Sequence, residues 1–444
     1  MNAQKEDKVP EAKMLTRRGF LRKTTASAWG VAAFPYLVPA SALGADGHIA
    51  PSERITLGFI GVGKQGRGSH VNAFRNKKDV QILAVCDVES GRLEQSKHMV
   101  EERYAQRDDM VDYKGCDTYH NFRDLLARDD IDAVCIATPD HMHALACIAA
   151  AKAGKDIYCE KPLTRFIEEG RALVDAVERY GRVFQTGSQQ RSEYDGRFSR
   201  AAELVRAGAI GKLKSIDIGI GGFPSDSYDL PPEPVPPTLD WDAWQGPAPW
   251  RPYHAELCPL DFGGYPHWRY YRDYAGGGFS DFGAHHIDIA QWALNMDHSG
   301  PVEVVPPGVK DPKRMTFTYA NGIPMHHGGA ADCVFHGSDG TILVSRGGIH
   351  SEPREILFTP LGASAVHLNR HRGHRDDFLH CIRTREKTIA TAEIGHRTST
   401  ACQLGNICHV LQRPLKWNPE AERFVDDDEA NRLLGRAMRS PWRL

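Results

Sequence analysis

Arg54-Ile-Thr-Leu-Gly-Phe-Ile-Gly-Val-Gly-Lys-Gln-Gly66 is the stretch that decides the fold. The apolar residues Ile55, Leu57, Phe59 and Ile60 read as a short strand running into Gly61-x-Gly63-x-x-Gly66. In this pattern the first glycine allows a tight turn, the second lets backbone approach a pyrophosphate, and the third lets a helix pack close to the strand. The pyrophosphate would sit on that helix's N-terminus, where unpaired N–H groups and the dipole favour negative charge, with Lys64 and Gln65 beside it. A second apolar run, Val80 to Cys86, ends at Asp87, about twenty residues beyond Gly66. An acidic group there accepts hydrogen bonds from both adenosine ribose hydroxyls and repels a 2′-phosphate, which favours NAD over NADP. Arg92 nearby works against that preference, and a plain helix N-cap is the other reading of Asp87.

Working outward, strands alternate with helical patterns from Ile55 to about Val183, which predicts an α/β domain with a doubly wound parallel sheet. Ile131-Asp-Ala-Val-Cys-Ile-Ala137 is a continuous apolar run, as a strand buried on both faces requires. It leads into Thr138-Pro139-Asp140-His141-Met142-His143. The strand Lys155 to Cys159 leads into Glu160-Lys161-Pro162. Ligands of open α/β sheets bind beyond the strand C-termini, so Thr138, Pro139, His143, Glu160 and Lys161 converge on one crevice. A lysine there can bond both a substrate hydroxyl and the nicotinamide ribose.

After about Gln185 the pattern changes. Residues 211–220 alternate like a strand of a half-buried antiparallel sheet. Residues 223–262 are rich in proline and tryptophan, which suits a packed lid or an interface. Further strands are expected near 302–319, 330–336, 340–346 and 354–359, and the tail from about His374 reads as helices, the first starting near Arg375. The expected organisation is a signal over 1–45, a Rossmann domain over 52–184, and a C-terminal α+β domain with an open, largely antiparallel sheet over 185–444. The last helices are free to pack back on the first domain.

Thr16-Arg-Arg-Gly-Phe-Leu-Arg-Lys23 matches the twin-arginine export pattern, followed by a weakly apolar stretch and small-residue cleavage positions at Ala42 or Ala45. That stretch is too short, and too broken by Pro35 and Pro39, to anchor the chain in a membrane. The expected location is therefore periplasmic. The twin-arginine route carries folded proteins, so a dinucleotide would be loaded before export and held tightly.

The remaining 400 or so residues suit two domains of ordinary size. A net charge of −2 with no basic stripe argues against nucleic acid as a partner. The ten cysteines show no CxxC pair or regular disulfide spacing.

A second constellation is Gly276-Gly-Gly-Phe-Ser-Asp281-Phe-Gly-Ala-His285-His286-Ile-Asp288-Ile-Ala-Gln-Trp292. On a helix, Asp281, His285, Asp288 and Trp292 share one face. A carboxylate one turn from an imidazole can fix its tautomer and raise its basicity, which suits removal of a hydroxyl proton. His286 falls on the neighbouring, more apolar face, where packing competes with a role in the site.

The fingerprint at 61–66, Asp87, Thr138-Pro-Asp-His, Glu160-Lys161-Pro162 and Asp281-x-x-x-His285 together resemble the Gfo/Idh/MocA oxidoreductase family. The resemblance implies a Rossmann domain, a second domain whose open sheet makes an oligomer face (dimer or tetramer), and hydride transfer at a sugar or cyclitol carbon. Carried over by position, Lys161 would be the lysine of the Glu-Lys-Pro motif, His285 the acid/base, and Asp281 its partner in substrate binding. Gln189 and Arg191 would line the sugar site.

Two enzyme readings follow. One is an NAD-dependent sugar, glycoside or cyclitol oxidoreductase. The other is a glycosidase using a retained NAD, in which spare histidines and Tyr271 or Tyr274 supply the second proton carrier. A non-catalytic sugar-binding protein is a third. A metal hydrolase is disfavoured because no compact ligand motif is present, although the doubled His285-His286 and the nearby His254, Cys258 and His267 leave a metal open.

Overall fold

The computed structural model describes residues 49–444, apart from 111, 227–228, 262–263, 329–331, 363–364 and 369–371. The export pattern and both cleavage positions thus lie outside the described residues.

The fingerprint strand is the centre of a six-stranded sheet. Its strands are β1 (Ile55–Ile60), β2 (Val80–Cys86), β3 (Asp117–Tyr119), β4 (Ala133–Ile136), β5 (Asp156–Cys159) and β6 (Phe184–Thr186). They lie in the order β3-β2-β1-β4-β5-β6 with every neighbouring pair parallel. The order reverses between β1 and β4, which opens a crevice beyond the strand C-termini. Successive residues feed opposite faces, as the strand period of two demands. Val134 and Ile136 join Leu145 and Leu173 in one core cluster, while Ala133 and Cys135 join Phe59 and Phe378 in another. Phe378 belongs to the helix His374–Thr384, so a helix from the end of the chain covers one face of the first sheet.

The second sheet has nine strands: β7 (Leu213–Ile218), β8 (Pro301–Val305), β9 (Met315–Tyr319), β10 (Pro324–His327), β11 (Cys333–Gly337), β12 (Thr341–Val344), β13 (Ile349–Glu352), β14 (Leu415–Asn418) and β15 (Arg423–Phe424). Their order is β13-β12-β11-β7-β10-β9-β8-β14-β15, antiparallel except where β7 pairs with β10. The helices Gly277–Ala293 and Ala392–Leu411 pack against it through Phe279, Ile287, Ala401 and Leu404.

Two expectations change here, and a third is filled in. The expected strand at 354–359 is a 3-10 turn, Arg354–Phe358, entered from Pro353, which has no N–H to give a ladder. The tail is not all helix. Beyond Leu411 it forms β14, in which Leu415 and Trp417 are buried and Lys416 and Asn418 exposed, then β15 and a short helix, Asp428–Asn431. The proline- and tryptophan-rich segment builds a core of its own, with Trp241 and Trp244 stacked at 4.7 Å and Tyr253, Trp268 and Tyr274 around them. It is tied to the end of β2 by Ser90 N–H to Thr238 O at 3.0 Å and Asp240 N–H to Val88 O at 3.0 Å.

Candidate active site

The crevice is a cavity of about 990 Å³. That is the top of the range for small-molecule sites, ~300–1,000 Å³, and leaves room for a dinucleotide and a second small molecule. The glycine loop lines one side of it with Gly61, Gly63, Lys64 and Gln65. Gly61 has φ +82°, and a Cβ there would sit 2.7 Å from the Thr138 nitrogen. A Cβ on Gly66 would run into the Gly61 carbonyl oxygen. Both positions therefore require glycine to keep the turn and the helix against the strand ends.

Asp87 lines the same cavity and is not a helix cap. Its Oδ2 accepts Val62 N–H at 2.9 Å and its Oδ1 accepts Glu89 N–H at 3.1 Å, while Glu89 itself caps the helix Ser90–Ala105. Arg92 lies 3.6 Å from Asp87 but directs its Nη2 at the Pro259 carbonyl, 2.6 Å away. The glycine cradle, the acidic group at the end of β2 and the size of the cavity together fit a dinucleotide.

At the other end, Lys161 donates to Asp281 twice: to the carboxylate at 2.6 Å and to the backbone carbonyl at 2.9 Å. Two of its three protons are thus used, and among the described residues the third has no acceptor. Asp281 is held below the usual carboxylate range by the Lys161 and Arg269 cations, although burial opposes this. His285 is buried on the same helix and lines the cavity. Its pKa lies well below the ordinary value because burial, Lys161 and Arg346 all disfavour the cation. It is therefore a neutral imidazole, able to accept a proton.

Glu160 is the buried hub beneath these groups. Its Oε1 accepts from His70 at 2.7 Å, Gln189 at 2.8 Å and Gln65 at 3.0 Å, and its Oε2 from Lys161 N–H at 3.1 Å. Although burial opposes ionisation, the His70 hydrogen bond leads the contacts that keep Glu160 a carboxylate. Arg375 Nε meets His70 Nδ1 at 3.4 Å, which places the His70 proton on Nε2, toward Glu160. Glu160 thus ties the glycine loop, through Gln65, to the lysine.

Asp140 differs from every other acid in the cavity. It is buried, lines the wall at the end of β4, and accepts no hydrogen bond from the described residues. Burial raises its pKa to about 6.

The structure brings together Lys161, Asp281, His285, Gln189 and Thr138–Pro139 as expected. It corrects five other assignments. Asp281 pairs with Lys161, and among the described residues no donor or acceptor meets His285 Nδ1, so the carboxylate does not fix the imidazole. Arg191 lies outside the cavity, 1% exposed, and its guanidinium holds Asp288 through two contacts of 2.8 Å and also reaches Asp297. His286 bonds the Gly219 carbonyl at 3.0 Å, on the sheet side of its helix. Tyr271 donates to Glu256 at 2.6 Å, away from the cavity, and Tyr274 is buried in the tryptophan cluster. His143 does not line the cavity either, because its two ring nitrogens lie 2.9 Å from the Pro162 and Thr138 carbonyls. It clamps the two loops; burial opposes a charge on the ring, but a carbonyl acceptor at each nitrogen and the nearby Asp140 favour the cation.

Sequence reasoning missed His70, Arg346 and Arg375. His70 carried a signal, being one helical turn past the fingerprint. Tyr265, Trp268 and Arg269 also line the cavity, and Tyr265 donates to Gln65 at 3.2 Å. His254 pairs with Glu233 and His267 with Glu256, and among the described residues no group of three or more His, Cys, Asp or Glu side chains is placed to hold a metal. All ten cysteines are buried free thiols. No helix among the described residues is long and apolar enough to cross a membrane.

Residues 55–188 match the Gfo/Idh/MocA model described as an oxidoreductase family NAD-binding Rossmann fold. Residues 222–444 match that family's C-terminal alpha/beta domain. A glycosyl hydrolase family 109 protein of Shewanella sp. (strain ANA-3) is 35% identical over 169 residues, 38% of this chain and 35% of that one. An alpha-N-acetylgalactosaminidase of Shewanella oneidensis is 33% identical over 177 residues, 39% of this chain and 37% of that one. The chain thus matches little more than a third of these relatives' length. Among solved structures, the aldose-aldose oxidoreductase of Caulobacter crescentus, complexed with glycerol, aligns at TM-score 0.56 and 17% identity, covering 82% of this chain and 99% of that one. The WlbA dehydrogenase of Bordetella pertussis, in complex with NADH and UDP-GlcNAcA, aligns at TM-score 0.56 and 16% identity over the same shares. At these identities the structural likeness concerns the fold.

Proposed function

The chain belongs to the Gfo/Idh/MocA oxidoreductase family and carries its NAD-binding domain; on that premise we propose that it is an enzyme acting on a hydroxyl-bearing carbon of a sugar, glycoside or cyclitol. The observation that carries this reading is the meeting of the Lys161–Asp281 pair and the neutral His285 in the cavity that the glycine loop opens. Bound NAD supplies a hydride acceptor or, when reduced, a hydride donor. Gly61–Gly66, Asp87, Thr138, Pro139, Glu160 and Gln189 would hold it. Lys161 offers its free N–H to the reacting hydroxyl and stabilises negative charge developing on that oxygen. His285 accepts the hydroxyl proton in oxidation and returns it in reduction. Asp281 keeps the lysine aimed.

The two named Shewanella relatives favour a second reading, a redox-neutral glycosidase that restores its cofactor within each turnover. Such an enzyme needs a second proton carrier, a role that the buried Asp140 in the cavity wall would fill. The twin-arginine pattern of residues 16–23 supports export to the periplasm in the folded, loaded state, and the open second sheet supports a homo-oligomer. The test is product analysis on a panel of sugars and chromogenic glycosides. A keto-sugar supports the oxidoreductase, glycoside cleavage without net NADH supports the second reading, and neither product from a protein that binds NAD would refute both.

A further inference from the structure

Residues 432–444 follow the short helix Asp428–Asn431 and return to the first domain. Arg436 pairs with Glu169 at 3.0 Å and donates to the His141 carbonyl at 3.0 Å. Arg439 bonds the Asp242 carboxylate, the Asp242 carbonyl at 2.8 Å and the Gly246 carbonyl at 3.0 Å. Met438 and Trp442 pack against the first-domain core, and Trp442 N–H returns to the Arg439 carbonyl at 2.9 Å. Two arginines thus fix the segment that leads into a turn over residues 439–442.

That turn delivers Pro441 and Trp442 into the wall of the cavity. Their neighbours there include His120, Asn121, Phe122 and Arg123, which follow β3 at the edge of the sheet. The Arg123 guanidinium lies 4.7 Å from the Phe122 ring and 5.0 Å from the Trp442 ring. The Trp442 indole nitrogen is buried and, among the described residues, has no hydrogen-bond partner. The β3 edge is the far side from Lys161, beyond Asp87 on β2, and so the side of the ribose-binding acid.

We infer that Pro441 and Trp442 complete the adenine end of the cofactor site, the Trp442 ring forming part of the wall against which a flat heterocycle packs. This rests on the reading of the crevice as an NAD site. It gives the chain a retention element far in sequence from the fingerprint, in keeping with a cofactor held through many turnovers.

The test compares the full chain with Trp442→Ala, Trp442→Phe and a chain ending at Met438. Each is purified without added nucleotide, and its NAD content, its NAD dissociation rate and its thermal midpoint are measured. Trp442→Ala should release NAD roughly tenfold faster or more, the scale of one lost aromatic contact to a base. Trp442→Phe should fall between, keeping an aromatic ring of smaller area. The shortened chain should lose NAD at least as fast as Trp442→Ala. If both alanine and shortened variants fold and hold NAD like the full chain, the inference is wrong. If the full chain itself neither carries nor takes up NAD, the cofactor reading fails first and the inference with it.

Discussion

Arg191→Met separates a residue that touches substrate from one that holds the fold. The guanidinium is 1% exposed and its main partner, Asp288, is fully buried. Two contacts of 2.8 Å join them, a 2.8 Å bond ties the same guanidinium to Asp297, and the Trp292 ring lies 4.8 Å from it. Once the arginine is gone, Asp288 keeps, among the described residues, only the Thr398 hydroxyl, 3.0 Å away. Removing one member of a buried pair destabilises by about 3–5 kcal/mol, because the remaining charge is left without its counter-ion. The loss should shrink as pH falls. Without Arg191 the Asp288 carboxyl titrates higher than in the unfolded chain, so the folded variant takes up its proton first and gains stability toward acid. Replacing both partners, as in Arg191→Met with Asp288→Leu, should recover much of the loss. The assay is urea unfolding at neutral and acid pH, with NAD binding measured on the folded variant. A loss under about 1 kcal/mol, joined to a changed apparent affinity for sugar, would refute the structural role and restore Arg191 to the substrate site.

His285→Ala should lower turnover by about 10²–10⁴-fold while leaving NAD bound, because it removes the proton acceptor and no part of the cofactor cradle; activity on a confirmed substrate together with nucleotide content checks this. Lys161→Met should lose turnover in the same way, and a variant that instead lost NAD would show that the lysine's main role is in the cofactor site. Asp140→Asn should raise stability above about pH 6 by about 2–3 kcal/mol and leave it unchanged near pH 4. The folded acid titrates at about 6 against an ordinary 3.8, so its ionisation works against folding as pH rises through that window; thermal midpoints at the two pH values decide it. Asp87→Ser should weaken NAD about tenfold or more and narrow the gap to NADP, since it removes the charge that accepts from ribose and repels a 2′-phosphate; paired titrations with the two nucleotides measure it.

The first sheet was legible in the sequence because its signals are local. A buried parallel strand is a continuous apolar run, and Gly61 and Gly66 fill positions that no side chain could occupy. The helix from Gly277 to Ala293 was legible too, but not the pairing along it. Sequence spacing put Asp281 and His285 on one face, yet Lys161, more than a hundred residues away, takes the carboxylate. Arg191 misled for another reason: the family resemblance carried it to the sugar site by position, and only the tertiary fold shows Asp288 and Asp297 closing around it. β14 and β15 escaped notice because two or four alternating residues cannot be told from the edge of a helical pattern. Pro441 and Trp442 carried no local signal at all. Their place in the cavity wall depends on Arg436 and Arg439 meeting groups from distant segments.

The most direct test of the central claim, a redox-active NAD held between the glycine loop and the Lys161–His285 pair, is one measurement on the chain purified without added nucleotide. Its reduced-nicotinamide absorbance is followed while a panel of sugars and glycosides is mixed in, with His285→Ala alongside. The account predicts close to one nucleotide per chain in both proteins and a change in absorbance with a sugar only in the unaltered one. A chain that carries no nucleotide, takes none up, and shows no change with any sugar would contradict it.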